Sequence, residues 1–112
     1  MNSVFVQKLL VVAPQFRPAY TGHLKNNDEL LPHVFMGDVT REVVAACENP
    51  SSLVSIKMLL NFFEAELTSG DAEATDLIGA SFCENLIGET HAIEVLLPLM
   101  GPSLREVVGQ TR

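Results

Sequence analysis

The sequence predicts an all-α fold, a compact bundle of about five to six short antiparallel helices. Three observations predict it. Apolar residues recur at spacings of three and four along most of the chain, as one face of a helix requires. Proline, glycine and capping residues interrupt those stretches where helices would start and stop. Nowhere does a β-branched run alternate with polar residues, so no strand is expected.

Residues 3–13 read as a first helix, with Phe5, Leu9 and Val12 on one face, Val6, Leu10 and Ala13 beside it, and Pro14 and Pro18 ending it. The stretch from Gln15 to Asn27 shows little period and reads as the longest loop, pinned to the body by Phe16 and Tyr20. A second helix is expected over 32–48, with Met36, Val39, Val43 and Ala46 as its apolar stripe. Either Asp28 caps it or Pro32 takes its first position. Asn49 and Pro50 then cap and open a third helix, 50–68, where Leu53, Ile56, Leu60, Phe63 and Leu67 form a stripe widened by Leu59 and Phe62. Gly70 terminates it. Asp71 caps a fourth helix over 72–87, which buries Leu77, Ile78, Phe82 and Leu86 and stops at Gly88. A fifth runs from Thr90 to Leu97, ahead of Pro98. Ser103 to Glu106 matches a capping box, opening a short last helix that ends near Gly109. Short connections make such helices antiparallel neighbours, and pairs of this length also resemble units of helical-repeat stacks, although no repeat of fixed period is present.

The chain, 1–112, has the length of one domain, and its 47% hydrophobic content excludes a disordered one. The apolar stretch from Val4 to Ala13 is too short to span a bilayer and lacks the layout of a secretory signal, so a cytoplasmic protein without membrane contact is expected. Cys47 and Cys83, inside apolar helical stretches, read as buried reduced thiols.

Charge is unevenly spread. Residues 1–57 balance five acids with five bases, whereas 58–112 carry nine acids against Arg105 and Arg112 alone. A segment without a base from Met58 to Leu104 repels phosphate backbones, which argues against nucleic acid and for a basic protein surface as partner. Solubility alone is the competing explanation of the acidity.

Catalytic and metal motifs are not found. His23, His33 and His91 have no Cys or His at ligand spacing, and no Glu-x-x-His occurs. Asp71-Ala-Glu73-Ala-Thr-Asp76 resembles a calcium loop in outline, but Asp76 stands where that loop needs glycine. Ser81 and Cys83 lie mid-helix rather than on a strand-to-helix elbow, and no glycine-rich phosphate loop exists. No enzyme activity, cofactor or metal is expected.

Two stretches stand out. Leu31-Pro-His33-Val-Phe-Met-Gly37-Asp38 places a glycine inside a helix, which marks close approach of another helix or of a partner. Asp38 is within one turn of Arg41. In Ser81-Phe-Cys-Glu-Asn85-Leu86, Phe82 and Leu86 face the core and leave Glu84 and Asn85 at the flank. At both stretches, and over about residues 28–106, the chain is similar to a group of small uncharacterised bacterial helical proteins that share them around a helical hairpin. The resemblance implies the immunity side of bacterial toxin–immunity systems, such as contact-dependent growth inhibition, and carries no binding residues with it.

The functional expectation is therefore an immunity protein that binds a cognate toxin domain, a nuclease with a basic cleft. The candidate partner-binding residues are the acids Glu64, Glu66, Asp71, Glu73, Asp76, Glu84 and Glu89. The alternative is a non-enzymatic helical adaptor or scaffold, with a homodimer as one form. A third reading, an enzyme using His33 and Asp38, needs those side chains to meet, which their spacing of five residues opposes.

Overall fold

The computed structural model describes residues 3–111. Its first helix, α1 (Val4–Val12), opens where Ser3, in extended backbone, accepts a hydrogen bond from Val6 N at 3.1 Å. That bond satisfies one of the amides that a helix start leaves unbonded. Phe5, Val6, Leu9 and Leu10 face inward, and a 3-10 turn over Pro14–Phe16 follows.

The segment expected to be a long loop is instead a helix, α2 (Arg17–Asn27). Pro14 and Pro18 both occupy helix starts, where the missing N–H is one that would go unpaired anyway. Buried Phe16 and His23, with half-buried Ala19, Tyr20 and Leu24, complete a helically spaced inner face. Asp28 ends the helix in the left-handed region, φ 62°, its N–H returning to Leu24 O at 2.9 Å.

Pro32, not Asp28, opens the next helix, α3 (Pro32–Ala46), which buries Phe35, Met36, Gly37, Val39, Thr40 and Val43. The Asn49 side chain caps a 3-10 turn at Pro50–Ser52, and α4 (Leu53–Ser69) continues from it to Gly70, φ 78°. The Asp71 side chain accepts from Ala74 N at 2.9 Å and starts α5 (Ala72–Asp76). There the chain leaves regular α geometry: Leu77–Cys83 is π-helical, closed by Glu84 N–H to Gly79 O. Gly88, φ 89°, turns the chain into α6 (Thr90–Leu96), followed by a 3-10 turn over Leu97–Leu99 around Pro98.

The last helix, α7 (Pro102–Thr111), runs past Gly109, and Ser103 lies inside it rather than at its cap. The expected capping box does not form. Glu64 of α4 takes that role, its carboxylate accepting from Ser103 N at 3.0 Å and Leu104 N at 2.9 Å. Seven α-helices and no strand are therefore present among the described residues. None of these helices is long and apolar enough to cross a membrane.

One hydrophobic core joins them. At its centre Phe63 contacts Phe5, Phe62 and Phe82 with ring centroids 6.0, 6.0 and 4.8 Å away. The radius of gyration, 13.1 Å, is what close association around one core gives a chain of this length. The largest interface between elements joins α3 to the π-helical segment. These two run in the same direction, since His33 meets Ser81, Gly37 faces Asn85 and Glu48 approaches His91.

Candidate functional site

The seam between α3 and the π-helical segment brings together the two stretches that stand out in the sequence. At one end the His33 ring lies between Ser81 Oγ, 2.5 Å from Nδ1, and Asp76 Oδ2, 3.0 Å from Nε2. A carboxylate only accepts, so Nε2–H donates to Asp76 and, in the neutral ring, Nδ1 accepts the Ser81 hydroxyl proton. A hydroxyl, an imidazole and a carboxylate in one line form the constellation of nucleophilic catalysis. Ser81, however, is only 4% exposed beneath the ring, where no electrophile has an approach. Its contact with His33 ties α3 to the π segment. His33 does not meet Asp38, which pairs with Arg41 one turn along α3.

Further along, Gly37 lies under the Arg41 and Asn85 side chains, each 3.7 Å from where its Cβ would stand. That is ordinary contact, so no neighbouring helix requires glycine there. Asn85 donates to Ser81 O within its own turn, and the mouth beside it, lined by Thr40, Arg41, Val44 and Glu89, encloses about 280 Å³. At the far end His91 Nε2 is 3.9 Å from Glu48 Oε1.

On the other side of α3 lies a wider, open groove of about 610 Å³ between α2 and α3. Ala19, Gly22, Asn26 and Asn27 line one wall, and Val34, Asp38, Arg41, Glu42 and Ala45 the other. Burial, followed by the charge of Asp38, raises the Glu42 carboxyl above its ordinary value.

Of the seven acids expected to face a partner, five have internal partners. Glu64 caps α7, and Glu66 lies 3.5 Å from Lys8 Nζ with its side chain only 12% exposed. Asp71 caps α5, Glu73 accepts from Phe5 N at 3.3 Å and so closes the start of α1, and Asp76 holds His33. Glu84 and Glu89 are exposed and make no ion pair or hydrogen bond through their side chains among the described residues. The same is true of Asp28, Glu29, Glu42 and Glu94. The structure thus draws the α4–α5 corner inward and leaves carboxylates on α3, after the π-helical segment and around α6. Composition by halves misses Glu42 and Asp38, because the first half is balanced in total. No local spacing points to Glu42, and Asp38 is marked only by its turn spacing to Arg41.

Cys47 and Cys83 are free and buried. Burial, with the Glu84 charge adding to it, pushes the Cys83 thiol up to about 12, and so removes it as a nucleophile near neutral pH. Among the described residues no three His, Cys, Asp or Glu side chains are arranged to hold a metal ion.

An acidic all-α chain with a closed core, two clefts beside one helix and unpaired carboxylates on its surface defines a class of small helical proteins. This chain belongs to the family described as Domain of unknown function (DUF7674), whose model matches residues 6–112. No curated protein and no solved structure matches it.

Proposed function

We propose that the chain is an immunity protein, which binds a cognate bacterial toxin domain in the cytoplasm and neutralises it by contact, without chemistry of its own. The observation that carries this reading is the set of exposed carboxylates, Glu42, Glu84, Glu89 and Glu94 with Asp28 and Glu29, that no internal cation neutralises among the described residues. With a net charge of −7, they set up a field that attracts a basic surface. A nuclease toxin must be basic where it holds nucleic acid, so an acidic inhibitor competes for the same field and gains association rate.

The second reading, a helical adaptor, is favoured by a different observation. Val54 and Met58, one turn apart on α4, are 74% and 54% exposed. An apolar strip of that kind fits self-association, which light scattering would report as a dimer.

Growth under co-expression separates the two. A candidate toxin domain taken from the neighbouring reading frame is expected to stop growth alone and to lose toxicity when the chain is present, with the two purifying together. Undiminished toxicity with both proteins soluble would overturn the immunity reading.

A further inference from the structure

The groove between α2 and α3 has features that the fold itself does not require. Gly22 lies in the middle of α2, where glycine is a poor helix former. A Cβ added there would meet nothing within 4 Å, so no close approach inside the molecule explains it. With Ala19 one turn earlier and Ala45 across the groove, it leaves a floor of small side chains open to solvent. On the α3 wall the only cation, Arg41, is taken by Asp38. Among the described residues Glu42 has no ion-pair partner, and burial, followed by the Asp38 charge, disfavours its ionised form until a cation arrives. His23, at the base, is 3% exposed and spends Nε2 on accepting Leu31 N at 2.9 Å.

We propose that this groove is where the partner docks, by laying a basic helix against Ala19, Gly22 and Ala45 and placing a Lys or Arg against the Glu42 carboxylate. The inference rests on the protein-binding reading above and moves the contact from the α4–α5 acids to α3. A small floor lets two helix backbones come close, and the rim carboxylates choose a partner of opposite charge. An acidic or neutral helix would leave Glu42 without a counter-ion in a partly desolvated position.

The test needs no toxin. A fluorescently labelled amphipathic helical peptide with Lys and Arg along its polar face is titrated into the intact chain, with anisotropy as the readout. Backbone amide shifts of the labelled protein locate the peptide. Binding with shift changes confined to α2 and α3 is expected. Glu42→Gln and Gly22→Leu should each weaken it by roughly tenfold. Glu106→Gln, which removes the same charge from the exposed side of α7, should leave it unchanged. Gly22→Ala and Gly22→Leu should keep or raise the melting temperature, because both residues form helix better than glycine. A binding loss in Gly22→Leu therefore cannot come from unfolding. Absence of binding, shifts centred elsewhere, or equal loss on Glu106→Gln would each overturn the proposal. Peptide binding without toxin rescue would leave the groove standing and remove the immunity reading, and the reverse result would remove the groove alone.

Discussion

Replacing Phe63 by alanine is expected to destabilise the protein by about 3–5 kcal/mol. Phe63 is fully buried on α4 and touches three other phenyl rings, its edge-to-face contact with Phe82 being the tightest at 4.8 Å. Alanine removes the transfer free energy of the ring and opens a cavity that Phe5 and Phe62 fill only by leaving their present contact with each other. A loss of this size is a large share of the ~5–15 kcal/mol that holds a typical domain together. Urea unfolding followed by circular dichroism measures it, with exposed Met58→Ala as the control, expected within about 0.5 kcal/mol of the parent. A Phe63→Ala loss below about 1 kcal/mol would mean that the ring cluster is not the centre of the core.

Glu64→Ala is expected to cost about 1–3 kcal/mol, since it leaves the Ser103 and Leu104 amides without the charged acceptor that starts α7. Gly101→Ala should cost nearly as much through the same group. A Cβ at Gly101 would stand 2.5 Å from Glu64 Cδ and 2.7 Å from Oε1, so the carboxylate must leave its two amides to make room. The two substitutions are therefore non-additive: Gly101→Ala made in the Glu64→Ala background should add little. Additive losses would show that Gly101 matters for another reason. The cap also has a pH signature. Desolvation raises the Glu64 carboxyl, but the hydrogen bonds from Leu104 and Ser103 outweigh it and hold it below its ordinary 4.5. The folded state thus binds this proton less readily than the unfolded chain does. The contribution is complete above about 4.5 and is lost as pH falls through the lower folded value, so Glu64→Gln should flatten the acid limb of the stability curve.

These two sites show how far the residues could be read in advance. The α4 stripe containing Phe63 is legible because its period is local and strongly apolar. The α2 helix is not, because its inner face mixes Phe16 and Leu24 with Ala19, Tyr20 and His23, whose small or polar-tipped side chains dilute the apolar period, and because Pro14 and Pro18 read as stops although they serve as starts. Long-range polar contacts are illegible for a different reason. Glu64 reaches across 39 residues to Ser103, and His33 across 48 to Ser81, and no local spacing encodes either meeting. The same blindness affects the acids. Composition sees nine carboxylates after residue 57, but not that Glu64, Glu66, Asp71, Glu73 and Asp76 are turned to internal partners while Glu42 on α3 is left with none. The π-helical turn at Leu77–Cys83 leaves no trace in the periodicity either, because Leu77, Ile78, Phe82 and Cys83 suit a regular helix equally well.

Under the proposed immunity role, the association rate of the chain with a cognate toxin domain, followed by stopped flow across a range of salt, tests most directly whether exposed carboxylates steer a basic partner. The rate should fall steeply as salt rises, and a variant with Glu42, Glu84 and Glu89 changed to glutamine should associate more slowly at low salt with a flatter dependence. Identical rates and identical salt dependence for the variant and the parent would contradict the account.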